Sequence, residues 1–410
     1  MGSTHTLLTP TVIAKEALMR LKNNLVMGNR VHRNYEMEFK KIGGTVTIRK
    51  PVKFTVTTGR TRATSTITEN SITLQVATQK HVSWSFNSAD LTLTIDQYNE
   101  RYIMGGTQVL ANAIDADLCD LYKDVYNEVW ESTGFVNPET FMVLGKAGQR
   151  LDEEASPQED RCIVFNPAAH WSMANAMKGL YVTDVAGAAV KKGYLARIAN
   201  MEIYMDQNVK VHTTGVFHDT GSTAAILVGT TSPANLATSL ELIHFRVVST
   251  VALKQGDVFT IAGVYAVNPV SGQSTGALRQ FVVTADASAA ATATSAIVTA
   301  HIDPQIINTG PYKTVDTTPA AGAAVTIVGT QNEPYPVNLA FHKNAFALVM
   351  VPLVTPKNVW GSTAVDSGYS IRVLKAYSID LDDEVCRLDV LYGTKTLYPE
   401  LACRIRGAEG

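Results

Sequence analysis

His212 and His218, with Asp219 beside the second, are the nearest pair among nine histidines. A zinc site gathers four ligands in tight local groups, and no further His or Cys follows at such a spacing. Exposed loop histidines are therefore expected rather than a metal centre. His170 beside Trp171 has the chemistry of a general base, but no nucleophile or orienting acid accompanies it in a recognisable pattern. A core or surface histidine is the simpler reading. Cys119, Cys162, Cys386 and Cys403 lie far apart and form no CxxC group. They read as buried free thiols of a reducing compartment. No GxSxG elbow, phosphate-binding GxxxxGK[ST] loop, HExxH helix or GxGxxG turn is present. The expectation is a protein that is not an enzyme, with no catalytic residue, no metal ligand and no cofactor.

Charge says more. From Lys40 to Arg62 there are seven basic residues (Lys40, Lys41, Arg49, Lys50, Lys53, Arg60, Arg62) and no acidic one. Nucleic-acid arms usually interleave aromatics for stacking, and only Phe54 lies in this stretch. A complementary acidic protein surface fits better. Residues 96–131 offer one, with Asp96, Glu100, Asp115, Asp117, Asp120, Asp124, Glu128 and Glu131 against only Arg101 and Lys123. Spacings of three and four put Asp117, Asp120 and Asp124 on one helical face. A calcium ion takes six to eight oxygens, usually from an irregular loop, so a solvated or partner-facing surface is the expectation. Arg49, Lys50, Lys53, Arg60 and Arg62 on one copy, and Asp117, Asp120 and Asp124 on the next, are thus the candidate subunit contacts. Such a heterologous contact builds rings or extended lattices.

The elements that position these charges follow from periodicity. Thr9 and Pro10 open a helix whose apolar stripe is Val12, Ala14, Ala17, Leu18, Leu21 and Leu25, ending at Gly28. From Gly43 the period becomes two, with Val46, Ile48, Val52, Phe54 and Val56 alternating with polar residues. The run "SITLQVATQKHVSWSF" returns after a Thr/Ser-rich tip, so a projecting hairpin arm is predicted. Ile103, Leu110, Ile114, Leu118, Leu121, Val125 and Val129 predict one long helix over 96–131, about 50 Å at 1.5 Å per residue. A shorter helix is expected near Lys146–Glu154, then a buried strand Cys162–Phe165 and a helix opened by Asn166 and Pro167.

Between about Thr213 and Tyr335 helical periodicity disappears. "AAILVGTT", "IHFRVVST", "DVFTIAGVYAV", "LRQFVVTAD", "SAIVTAHI" and "AAVTIVGTQ" are short strands between turns, the pattern of a closed barrel or sandwich. The mixed pattern resumes at "NLAFHKNAFALVMVPL", so this module interrupts a parent domain. Two long strands around Asp382–Asp383 close the chain. The length of 410 residues predicts roughly two to three domains. The net charge of −2 predicts no overall attraction to nucleic acid or acidic membranes. No signal peptide and no apolar run of about 20 residues is present, so a soluble protein made in a cytoplasm is expected, with no membrane partner.

In this order, the N-terminal helix, hairpin arm, acidic helix, mixed domain, β insertion and returning strands resemble tailed-phage major capsid proteins of the Hong Kong ninety-seven fold. The insertion is most similar to that of the phage P-twenty-two coat protein family. "VALKQGDVFTIAGVYAVNP" looks like a strand pair of that barrel, "NAFALVMVPL" like the return to the apical domain and "TLYPELACRI" like the end of the coat chain. The resemblance implies an α+β capsid fold with an inserted all-β barrel. It divides the chain into an N-terminal arm and helix (1–39), an extended hairpin loop (40–90) and a peripheral domain with a spine helix (91–159). An axial domain (160–213 and 335–375) follows, interrupted by the inserted barrel (214–334), with C-terminal strands returning to the peripheral domain (376–410). It further implies self-assembly into hexamers and pentamers of an icosahedral shell in the virion, built in the bacterial host cytoplasm. A scaffolding protein, a portal and enclosed double-stranded DNA, bound without sequence specificity, complete the implied partners. The loop near "DVAGAAVKKG" would face the five- and six-fold axes. One departure stands out: "LVGTTSPANLATSLEL", at the place of the family's charged insertion loop, has Glu241 as its only charge. The contrasting readings are a carbohydrate- or cell-binding surface protein whose β module holds the ligand, and a hydrolase, for which no convergent polar cleft is visible.

Overall fold

In the computed structural model the N-terminal helix and the six β runs between 224 and 331 form as their patterns predict, whereas the alternation after Gly43 is strand only to Arg49, and Val52 and Phe54 lie outside it. The structure describes residues 10–33, 35, 44–54, 58–60, 69–87, 102–131, 137–176, 195, 197–217, 226–228, 242–247, 251–289, 296–357, 359–378 and 383–407. Lys40, Lys41, Arg62, His218, residues 96–101, the "DVAGAAVKKG" loop, Glu241 and Asp382 lie outside the described residues. The fold is mixed α+β, with four helices among the described residues. The chain forms two compact units, one of Met1–Lys50, Ser71–Cys119 and Phe346–Leu397, the other of Pro51–Asn70, Asp120–Ala345 and Tyr398–Gly410.

The first unit holds α1 (Pro10–Asn24), the strands β1 (Thr45–Arg49), β2 (Ser71–Gln75) and β3 (Thr78–Asn87), and α2 (Met104–Cys119). It also holds β19 (Phe346–Met350), β20 (Trp360–Asp366), β21 (Tyr369–Ser378) and β22 (Asp383–Thr396). α1 buries Ile13, Ala14, Ala17, Leu18 and Leu21, nearly the stripe expected, while Val12 faces solvent. β1 and β2 are antiparallel, Thr45 opposite Gln75 and Arg49 opposite Ser71. The expected return strand is two strands. After Gln75 the chain leaves β1, and β3 pairs with β22 from Asn87 opposite Asp383 to Thr78 opposite Tyr392. Gly393 makes the change of partner sterically open, because a Cβ there would sit 2.2 Å from the Gln75 carbonyl oxygen.

The long helix is the larger correction. α2 has 16 residues, about 24 Å at 1.5 Å per residue. A 3-10 turn follows at Asp120–Asp124, then β4 at Glu128–Trp130. Val125 and Val129 are buried, as the spacing required. A spacing of four, however, does not distinguish a helix from a turn followed by a strand. Parallel pairing of β4 with β23 (Ala402–Arg406) decides the outcome locally. The Tyr, Val and Trp residues there suit a strand.

The second unit is built on a six-stranded sheet in the order β4-β23-β18-β5-β7-β6. Its other strands are β5 (Arg161–Phe165), β6 (Arg197–Ile198), β7 (Met201–Met205) and β18 (Asn338–His342). Helices α3 (Phe141–Glu153) and α4 (Pro167–Ala176) pack on it through Val143, Leu144, Ala147, Leu151, Ala169 and Met173. Asn166 caps α4 by accepting the Ala169 amide at 2.9 Å. β8 (Val211–Thr213) and β17 (Pro334–Pro336) pair, Thr213 opposite Pro334, and form a stem. Between them β9 (Ile226–Val228), β10 (Leu242–Val247), β12 (Val258–Val267), β13 (Ser274–Val283), β15 (Ala296–Asp303) and β16 (Ala324–Ile327) close a barrel. A short ribbon of β11 (Val251–Leu253) and β14 (Ala287–Ala289) accompanies it. Phe245, Phe259 and Phe281 fill the barrel, the first pair edge-on at 5.3 Å and the second stacked at 5.6 Å.

Candidate subunit interface

Of the described basic residues between Lys40 and Arg62, Arg49 ends β1 and Lys50, Lys53 and Arg60 follow it outside any strand. Val46 and Ile48 point inward, so Thr45, Thr47 and Arg49 point out, as the two-residue period of a strand dictates. Lys50 is half-buried, whereas Lys53 and Arg60 are exposed. The Lys53 amide donates to the Tyr312 hydroxyl at 3.4 Å. Phe54 is 68% exposed, an unusual place for a phenyl ring in a lone subunit.

The acids do not form the surface expected of them. Asp115 is buried and accepts the Val26 and Gly28 amides at 2.7 and 2.9 Å. Glu131 is buried and accepts the Glu139 and Thr140 amides. Glu128 is buried between two arginines. Asp117 binds Lys80 at 2.7 Å and accepts the Tyr392 hydroxyl proton. Asp120 pairs with Lys123 at 2.8 Å, and Asp124 is half-buried. Nor do Asp117, Asp120 and Asp124 share one α-helical face, since the α-helix ends at Cys119. Charge that looked like a surface is largely internal wiring, because short loops and adjoining strands need acceptors for their buried amides.

His212 is the clearest case of a residue whose role its own neighbours in sequence hide. It is buried, not exposed: Nδ1 meets the Tyr122 hydroxyl at 3.0 Å and Nε2 meets Asp257 Oδ1 at 2.9 Å. Asp257 also accepts the Lys254 and Gly215 amides at 2.8 and 3.2 Å. Burial pushes the Tyr122 phenol up to about 12, opposed by Arg404. Arg404 lies over the Tyr122 ring at 5.2 Å, donates to the Gly256 carbonyl and faces Glu128 at 3.8 Å. Arg406 pairs with Glu128 at 2.8 Å and covers the Tyr335 ring at 4.9 Å. Gly256 has a φ of +100°, and a Cβ there would meet His212 at 3.2 Å. His170 is buried edge-on to Trp171. The four cysteines are buried. Among the described residues no cluster of His, Cys, Asp and Glu could hold a metal ion.

A protein-family model described as P22 coat protein, gene protein 5, matches residues 3–405. The chain belongs to the P22 coat protein family. It is a major capsid protein of a bacteriophage, a structural component of the virion. Solved structures similar to it include one from Mycobacterium phage Che8, at 15% identity over 93% of this chain and 90% of that one, TM-score 0.48. The capsid of Ralstonia phage GP4 matches at 9% identity over 90% and 85%, TM-score 0.46. That of cyanophage P-SCSP1u matches at 10% identity over 90% and 84%, TM-score 0.45. No curated protein matches the sequence.

In this coat protein the buried charges join barrel strands to the strands and helices around them. Gln280 of β13 exchanges two bonds with the Glu128 backbone, at 2.8 and 2.9 Å. Arg279 on the same strand pairs with Glu154 and lies 4.5 Å from the Tyr126 ring. Burial raises the Glu154 carboxyl, opposed by Arg279. Asn268 donates to the Glu153 carbonyl at 3.2 Å. Sequence reasoning missed these groups. The available signal was "CRIR", two arginines flanking Ile405 in an otherwise apolar strand, which places both on one face of β23 and demands a buried partner.

Proposed function

We propose that copies of this coat protein assemble, as hexamers and pentamers, into the icosahedral shell that encloses the double-stranded DNA of a tailed bacteriophage. Membership in the coat family across residues 3–405 carries the reading. The exposed basic arm with its solvent-facing Phe54 supports it, since such a feature gains burial only against another molecule. The proposed contact residues on the arm are Arg49, Lys50, Lys53, Arg60 and Arg62. Asp117, Asp120 and Asp124 remain proposed acidic partners, with Asp117 and Asp120 already sharing their charge internally. Assembly in the host cytoplasm, direction by a scaffolding protein and closure around a portal belong to the same reading. DNA is enclosed without base readout, consistent with a net charge of −2. The barrel acts as a braced core that holds the crossings of its parent domain.

Sedimentation velocity of the purified protein tests this. Species in the megadalton range are expected, and their yield should fall in Lys53→Glu/Arg60→Glu. Discrete small oligomers at every salt concentration would contradict it and favour a cell-surface binding protein with a ligand site in the barrel.

A further inference from the structure

Helix α3 turns a face to solvent that the described residues leave uncovered. Met142, Gly145, Gln149 and Asp152 recur at spacings of three and four along it, and all four are exposed. Its first turn is apolar there, with Phe141 and Met142 at 51% and 66% exposure. Beside it runs an open groove of about 570 Å³ lined by Gly145, Gly148, Gln149, Asp152, Glu153 and Ala199. The turn between β6 and β7 forms the second side, held by Asn200 donating to the Gln158 carbonyl at 3.0 Å. The far end is acidic. Asp152 keeps 55% of its side chain exposed while binding Arg161, and Glu159 and Asp160 are exposed next to Gln158. This end is also the C-terminus of α3, where the helix dipole adds negative potential. The cations of α3 and its support are engaged: Arg150 by Glu153 at 3.2 Å, buried Arg161 by Asp152 at 2.7 Å and Lys146 by the Trp130 carbonyl at 3.3 Å. Arg197, at the start of the β6–β7 turn, lies opposite Glu202.

We infer that this groove binds a basic amphipathic helix of another protein, with apolar residues on Phe141 and Met142 and cations along Asp152 and Glu159. The inference goes beyond the shell reading and does not depend on it. Local geometry suits a helix. Gly145 and Gly148, with Ala199 opposite, leave room for two helix axes to approach at about 8–10 Å. Met142 and Asp152 lie on one exposed face of the helix, about 15 Å apart along the axis. One partner helix of about three turns therefore reaches the apolar turn and the acidic end together, the anchor pattern of a helix laid in a groove. Charge selects a basic partner, because the exposed carboxylates at the far end outnumber the cations left to meet them. A second copy offers no such helix among the described residues. In α1, Arg20 is held by Glu16 and Lys22 by Asp366, which leaves Lys15 alone. Neither α2 nor α4 contains a lysine or arginine, and α3 carries acids of its own.

Fluorescence anisotropy on the full-length chain tests it, with a labelled leucine–lysine peptide of about five helical turns, amphipathic at the 3.6-residue period. Saturable binding is expected. A Cβ at Gly145 meets nothing within 4 Å, so Gly145→Trp fills the groove and should weaken binding at least tenfold while the melting temperature of the free chain holds. Glu159→Lys, at an exposed position on the acidic end, should weaken it at least threefold, with the larger effect at low salt. The two variants alter opposite parts of the groove, so a folding defect in one leaves the other to decide. The same peptide composition permuted to break the helical period should bind at least tenfold more weakly, as should a leucine–glutamate counterpart. Absent binding, equal binding of the permuted peptide, or undiminished binding by either folded variant overturns the site. Altered sedimentation of Gly145→Trp without peptide assigns the groove to a second copy and overturns it as well. Small oligomers of the parent chain bear on the shell reading alone.

Discussion

Asp257 has no exposed surface and serves four groups: the His212 ring and the Gly215 and Lys254 amides on its oxygens, and the turn that presents the Gly256 carbonyl to Arg404. Removing one partner of a buried pair costs about 3–5 kcal/mol because the rest is stranded. Asp257→Ala should therefore lower the unfolding free energy from urea titration by that amount, and a change below about 1 kcal/mol would show that the junction is not a bracing element. His342 sets a pH dependence. Burial holds its imidazole below the ordinary value of 6.5, reinforced by Arg161 and Lys343 and opposed by Asp160. Its Nδ1 accepts the Asn344 amide at 3.2 Å, which a proton there would prevent. The unfolded ring binds the proton more readily than the folded one. Stability from this residue is therefore present above the unfolded value, about 6.5, and is lost as pH falls below it. His342→Gln should flatten the stability profile between pH 7.5 and 5.5, and an unchanged slope would rule the group out. None of this was legible beforehand for His212 or Asp257, since the sequence places Tyr122 and Glu128 far from both and only folding brings them together.

At the level of elements, two glycines of opposite character make a controlled comparison. Gly393 lies where a Cβ would strike the Gln75 carbonyl, while Gly145 has open space around it. Gly393→Ala should cost about 1–3 kcal/mol by forcing β2 from β22. Gly145→Ala should gain about 0.5–1 kcal/mol through helix propensity. Equal effects in thermal denaturation would contradict the strand approach described. The six β runs of the insertion were readable because each concentrates β-branched and aromatic residues between turn residues, and each contains one barrel strand. The N-terminal helix was readable from its stripe. The long helix was not, because Val125 and Val129 satisfy a four-residue spacing in a turn and strand as well as in a helix. The split of β2 from β3 was hidden for another reason. It depends on Gly393, a residue at the other end of the chain with no local mark in "SITLQVATQ".

Across the whole molecule, the order of elements carried the family reading, and residues 3–405 bear it out. Charge patterning carried less, because it cannot separate an acid that faces solvent from one that binds a buried amide; Asp115 and Asp117, two residues apart, do one thing inside and another at the edge. The barrel strands lie in the chain between the paired β8 and β17, and Gln280, Arg279, Gly256 and Asp257 bond to residues around the barrel. Gln280 thus supplies an acceptor and a donor to the Glu128 backbone at the edge of the six-stranded sheet. The most direct test of the central claim is negative-stain electron microscopy of the sedimented protein, with and without a scaffolding protein. Closed shells of uniform diameter are the predicted result. Small discrete oligomers under both conditions would contradict it.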